Sequence, residues 1–325
     1  MITGWAGLAA LLLLLLLLCV ASVSLGAGTF SFSALAGGPD AERAWRLLLV
    51  SRVPRTLALL LAGMALAVAG LIMQMLVRNR YVEPTTAGTV ESATLGILVV
   101  TLLAPDTPVI GKMLTATGFA LAGTLLFLAL LRRVPLRTPF IVPLIGLILG
   151  GVIHAVTTFV AYRYDLLQSL HAWTTGDFSG VLRGRYELLW IGFALAAAAA
   201  YLAADRYTVA GMGREFAANL GLNHARLTLT GLLIVSAISA VVVVTAGGIP
   251  FLGLIVPNAV SLMLGDNMRR SIPWVAVLGG VFVLACDIIG RLVIHPYEVP
   301  LGTVVGVVGS ILFLCLLHSR RNRRG

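Results

Sequence analysis

Few side chains in this 325-residue sequence are placed to do chemistry, and most of those lie inside long apolar runs. Glu91, His154 and Asp287 are ionisable groups of this kind. Acids and imidazoles held away from water are the usual parts of a proton relay. Asp287 stands four residues before Arg291, the orientation favoured for an i, i+4 ion pair, so a structural pair competes with a proton carrier. Glu91 follows the turn Thr85 to Thr89, where the helix dipole favours a carboxylate. His154 stands alone in its run and reads as a core or pathway-lining residue. The phosphate-cradling pattern GxxxxGK[ST] is absent, as are HExxH and GxSxG. ATP-driven work would therefore draw on an ATPase in another subunit. Cys19, Cys286 and Cys315 lie in apolar runs without CxxC spacing and read as small core residues. Neither a cofactor nor a metal site is expected.

Two polar groups lie at the ends of the apolar runs. SRVPR places Arg52 and Arg55 about a helical turn apart, with Arg291 expected on the same side. Three planar guanidiniums there suit carboxylates on a partner, against the simpler reading of interfacial snorkelling. Opposite them, Gly211 to Arg226 (GMGREFAANLGLNHAR) is an amphipathic stretch with Phe216, Ala217, Leu220 and Leu222 as its apolar edge. A short surface helix of this type caps a bundle or docks a partner.

The elements that must position these groups are membrane helices. The chain is 59% hydrophobic and 11% charged, with a mean hydropathy of +1.01, which places it among integral membrane proteins. The net charge of +10 comes without a basic stripe or aromatic platform, so nucleic acid is not an expected partner. Ten spans are expected: Gly4 to Leu25, Arg55 to Val77, Val90 to Ala104, Met113 to Leu131, Phe140 to Tyr162, Glu187 to Ala203, Leu227 to Ala246, Phe251 to Leu264, Pro273 to Ile294 and Val299 to His318. They form one transmembrane domain over residues 1–325, with a loop at about 205–226. The third and eighth are too short to cross about 30 Å alone and need shelter from their neighbours.

With both termini inside, the inner loops hold most of the 23 basic residues, as the positive-inside rule requires. A cleavable leader is the competing reading of the first span. Met1 to Gly7 has no basic side chain, and loop parity needs this helix retained. The 35 glycines, including Gly63 and Gly70, imply close helix packing in a compact bundle. Thr245 to Asn258 (TAGGIPFLGLIVPN) interrupts helix inside the membrane, tolerated only where protein or a water-filled cavity satisfies the freed groups. Arg163 to Arg185, with its DFSG turn, forms a longer outer loop that can carry a short helix.

In order along the chain, SRVPRTLALLLAGMALAVAGLIMQ, NRYVEP, GREFAANLGL, GGIPFLGLIVPN, CDIIGR and EVPLGTVVGVVGS resemble the permease family of ABC importers for ferric siderophores, haem and vitamin B12. The resemblance runs from Ser51 to Leu317. It implies an all-α bundle of about ten helices, the type II importer permease fold, dimerised around a central pathway in the cell inner membrane. It also implies a cytoplasmic ABC ATPase dimer and a periplasmic or lipid-anchored siderophore-binding protein as partners. By the same resemblance, Arg52, Arg55 and Arg291 would dock the binding protein. Gly213, Arg214, Glu215, Ala217, Leu220 and Gly221 would couple to the ATPase. Asn79, Tyr81 and Thr138 would lie near the gate, with Glu91 and Asn258 on the pathway.

The sequence departs from the family pattern in having Asn258 where histidine usually follows the proline, and TVESATLG around Glu91. Both variants resemble a subgroup for catecholate-type ferric siderophores, often built as heterodimers of two related permeases. A haem or cobalamin permease is the alternative within the family. A proton-coupled secondary transporter using Glu91 and Asp287 is the alternative outside it.

Overall fold

The computed structural model describes residues 4–26, 41–134, 141–181, 187–212, 214–265, 267–295 and 297–322. Among them the elements are α1 (Trp5–Ser24), α2 (Ala41–Leu47), α3 (Val53–Val77), α4 (Thr89–Leu103), α5 (Val109–Arg133), α6 (Ile141–Arg163), α7 (Leu167–Thr174), α8 (Glu187–Met212), α9 (Arg214–Asn219), α10 (His224–Ala246), α11 (Leu252–Leu264), α12 (Met268–Val293) and α13 (Leu301–Asn322). A π-helical turn over Leu48–Arg52 joins α2 to α3 without a break. Each of the ten expected apolar spans is a helix, and α7 is the short helix expected between Arg163 and Arg185. The ends differ most where unbroken helix leads into α3 from Ala41, ahead of the expected Arg55, and at α8, which runs on past Ala203 to Met212. Its polar residues Asp205 and Arg206 are exposed at that end, so the helix continues beyond the apolar run.

The helix α3 is the axis of the bundle. It is apolar all round, and its face is covered on every side, as expected of a helix enclosed by others. Two glycine crossings set its closest neighbours. A Cβ on Gly63 would lie 2.7 Å from the Gly279 carbonyl oxygen of α12, and one on Gly70 would overlap that of Gly253 in α11. Any larger residue would force the backbones apart. By contrast, Leu13, Leu16 and Leu17 of α1 are more than half exposed, as suits a helix facing lipid.

The short helices α4 and α11 have 15 and 13 residues, giving lengths of about 22 and 20 Å. Neither crosses the hydrocarbon layer unaided. The break between α10 and α11 is closed by protein, as expected for irregular backbone at membrane depth. The Gly248 amide donates to the Thr174 carbonyl (3.2 Å), and the Asp177 amide to that of Ala246 (2.7 Å). The Gly302 amide at the start of α13 donates to the Gly176 carbonyl (2.8 Å). The segment after α7 thus seals the break against the first turn of α13. In the DFSG turn, the Asp177 carboxylate accepts from the amide and hydroxyl of Ser179.

Candidate functional site

At one end of the bundle the α1 helix stops at Ser24 with carbonyls that have no helical donor. Two arginines supply donors. Arg52 Nη1 donates to the Val23 and Ser24 carbonyls, each at 2.8 Å. Arg291 Nη1 donates to those of Ser22 (2.8 Å) and Leu25 (3.1 Å). Positive charge at a helix C-terminus is also favoured by the dipole.

Beside them Asp287 is shared. Arg55 Nη2 donates to its Oδ1 at 2.9 Å, and Arg291, one turn along α12, pairs with its Oδ2. The Arg55 Nη1 group reaches Glu298 at 2.6 Å. Asp287 is 3% exposed and Arg291 6%, whereas the Arg55 and Glu298 side chains retain 14% and 23%. The structure therefore brings Arg52, Arg55 and Arg291 to one corner, but turns Arg52 and Arg291 inward onto α1. Asp287 is held between two guanidiniums, the geometry of a structural ion pair. Glu298 opens the EVPLGTVVGVVGS motif, but nothing in the sequence gives it a partner. It lies in a short loop, and only the fold sets it beside Arg55.

At the other end of α3, Arg78 adopts a left-handed backbone (φ 54) as the helix stops. The chain then turns back along the bundle through residues 79–88 to the start of α4. Asn79 Oδ1 accepts from the Tyr81 amide (2.9 Å), and the Tyr81 ring stands edge-on to Phe313 of α13. Asn258 Nδ2 donates to the Arg80 carbonyl (2.7 Å) and to that of Leu254 (2.6 Å). Asn79, Tyr81 and Asn258 are thus joined in one cluster. Thr138 lies outside the described residues.

The same segment carries Glu83, which is 3% exposed. Its Oε1 accepts from the Phe251 amide at 3.0 Å and from the Thr85 hydroxyl, placing a carboxylate at the N-terminus of α11. Glu91 is elsewhere, in the first turn of α4, with its carboxyl against Gly150 of α6. His154, one turn further along α6, is exposed. By sequence alone Glu83 is an ordinary loop acid, and Gln74, whose Nε2 donates to the Gly253 carbonyl, draws no notice. A lone glutamine in an apolar span is the signal that points to it.

The amphipathic stretch expected at Gly211 to Arg226 is α9 and its exit. The Gly221 amide donates to the Ala218 carbonyl (2.9 Å) and the Leu222 amide to that of Ala217 (3.0 Å). With Gly221 at φ +75, this is a Schellman ending, which needs a left-handed residue at that position. Asn223 then caps α10, its Oδ1 accepting from the Arg226 amide. Ala217 is fully buried, while Leu220 is 58% exposed. Gly213 and the side chains of Arg214 and Glu215 lie outside the described residues.

Comparisons with known proteins agree with this architecture. Residues 11–319 match the FecCD transport family. The petrobactin import system permease protein YclN of Bacillus subtilis is 48% identical over 274 residues, covering 84% of this chain and 86% of the relative. The ferric-anguibactin transport system permease protein FatD of Vibrio anguillarum is 42% identical over 276 residues, covering 85% and 88%. A solved metal-chelate type ABC transporter in an inward-facing conformation superposes with a TM-score of 0.80 at 23% identity, covering 96% of this chain and 98% of its own. With the family match running through nine of the ten spans in full and most of the first, the chain belongs to the FecCD transport family.

Proposed function

We propose that this chain is the membrane-spanning subunit of an ABC importer that moves a ferric siderophore of the catecholate type toward the cytoplasm. The observation that carries the reading is the 48% identity to a petrobactin import permease across most of both chains. The fold supports it. The short helices, the sealed break and the Asn79, Tyr81 and Asn258 cluster give a bundle with a polar seam. Both termini lie in the cytoplasm of the cell inner membrane, and the arginine-rich end faces inward. The chain makes and breaks no bonds, and iron crosses inside its chelator as cargo.

A cytoplasmic ATPase dimer seats on α9, with the exposed Leu220 as its apolar contact and Gly221 fixing the helix end. A periplasmic or lipid-anchored binding protein meets the opposite end. Of the three arginines there, Arg55 is the one whose pairing with Glu298 is open to exchange with a partner's carboxylate. Arg52 and Arg291 hold the corner that presents it. A second, related permease completes the dimer.

The test is reconstitution of this chain with its ATPase, binding protein and second permease. Uptake of labelled ferric catecholates, ferric hydroxamates, haem and cobalamin is then measured with and without ATP. ATP-dependent uptake of a ferric catecholate is expected. Uptake without ATP that follows a proton gradient would refute the reading.

A further inference from the structure

A cavity of about 300 Å³ opens at the arginine-rich end of the bundle, between α3, α8 and α11. Its wall is amphiphilic. Leu71, Met75 and Met212 are apolar lining residues, Arg78 and Arg80 line it with two positive charges, and among the described residues no carboxylate lines it. Thr208 and Ser261 also line it. Arg78 is fixed in place. It ends α3 in the left-handed conformation, its amide bonded to the Met75 carbonyl, and its Nε donates to the Gly211 carbonyl of α8 at 3.2 Å. That bond leaves the two terminal nitrogens of its guanidinium fork for another acceptor.

Anchoring a surface cation requires only one contact with water, and arginines at this end are already explained by topology. Topology does not require a left-handed arginine tied to a second helix at a cavity lined by both apolar and cationic residues. Non-glycine residues in that conformation are uncommon and persist where the surroundings hold them. Planar forks match phosphate oxygens in a bidentate manner, and basic pockets between membrane helices suit phosphorylated headgroups. We propose that this cavity binds a phosphate group, with Arg78 as its principal donor. The phosphate arrives either on a phospholipid, whose chains would lie along Leu71 and Met75, or as a free anion. Because Gly211 and Met212 lead directly into α9, an occupied cavity would brace the segment assigned above to the ATPase. The binding itself is independent of what the transporter carries.

The experiment uses the full chain purified in detergent and stripped of lipid, with binding read by native mass spectrometry and thermal unfolding. Phosphatidylglycerol, diacylglycerol and inorganic phosphate are the probes. Wild type should retain one phosphatidylglycerol and unfold at a higher temperature with it, while diacylglycerol does neither. Inorganic phosphate that also stabilises the protein and displaces the lipid would identify the free anion as the source, and its silence would identify the lipid. Arg78→Asn tolerates the left-handed backbone and should weaken binding about tenfold or more. Arg163→Gln, which removes the same charge from exposed α6, should not. Met212→Trp keeps both arginines and fills the mouth of the cavity, so it should also lose the ligand, and it decides the matter if Arg78→Asn fails to fold. Equal binding of diacylglycerol, or unchanged binding in Met212→Trp or in folded Arg78→Asn, would overturn the proposal, as would an equal loss in Arg163→Gln.

Discussion

Gln74 Nε2 lies 3.0 Å from the carbonyl oxygen of Gly253, the acceptor that Pro257 leaves without its helical amide four residues on. The side chain of one helix repairs the ladder of another at the point where their backbones touch, beside the Gly70 crossing. Replacing Gln74 by Leu should destabilise the protein by about 1–3 kcal/mol, because a buried carbonyl loses its donor. In a Pro257→Ala background the backbone amide returns, and the same substitution should lose most of its effect. Thermal unfolding of the four proteins in detergent tests this cycle. Strict additivity would mean that Gln74 does not compensate for the proline.

Glu83 makes an analogous repair at the N-terminus of α11. Its Oε1 meets the Phe251 amide, in a helix whose first residues have no side-chain cap of their own. Glu83→Gln keeps the acceptor oxygen and removes the charge, so it should cost about 0.3–2 kcal/mol through the dipole alone. Glu83→Ala removes the acceptor as well and should be the more damaging of the two. Unfolding temperatures in detergent, ranked wild type, Gln, Ala, check the order. Equal losses would assign the effect to charge rather than to hydrogen bonding.

The ten spans were legible because apolar length is a strong signal in a membrane protein, and the TAGGIPFLGLIVPN break announced itself through glycine and proline. The partners of the break were not. Gln74 and Glu83 are separated from α11 by about 170 residues or more, and nothing local says that either meets it. Arg52, Arg55 and Arg291 show the same limit in another form. Spacing grouped Arg52, Arg55 and Arg291 correctly on one side, but only the folded path of α1 reveals carbonyls that need two of them. Asp287 and Arg291 were readable as a pair from their four-residue spacing, whereas the third member, Arg55, comes from 232 residues away.

The corner around Asp287 separates two roles that a single charge reversal would confuse. Arg55→Glu would set a third carboxylate beside Asp287 and Glu298 and break a nearly buried pair, at about 3–5 kcal/mol. Lost uptake would then report lost fold. Asp287→Asn should show that structural penalty directly, as poor yield and a lowered unfolding temperature. Glu298→Gln is the informative change, because Glu298 is the more exposed partner. It should leave folding nearly intact and raise affinity for the binding protein several-fold by freeing Arg55. Titration of the binding protein onto reconstituted transporter measures this, and unchanged affinity would remove Arg55 from docking.

The ending of α9 predicts a loss of coupling without a loss of assembly. Gly221 sits at φ +75, and a Cβ there would meet no described atom within 4 Å, so space is not what selects glycine. Backbone conformation is, since a β-branched residue is strained in the left-handed region by about 1–2 kcal/mol. Gly221→Val should therefore unwind the Schellman turn and shift Leu220, while leaving the buried Ala217 and the spans untouched. Gly221→Asn, which tolerates the conformation, should behave nearly as wild type. If α9 carries motion from the ATPase, the valine variant should copurify with that subunit and hydrolyse ATP, yet import little. Leu220→Asp should instead lose copurification, because it removes the apolar contact itself. Normal uptake by both variants would move the coupling surface away from α9. Loss of copurification in Gly221→Val with retention in Leu220→Asp would place the contact on the turn rather than on the helix face.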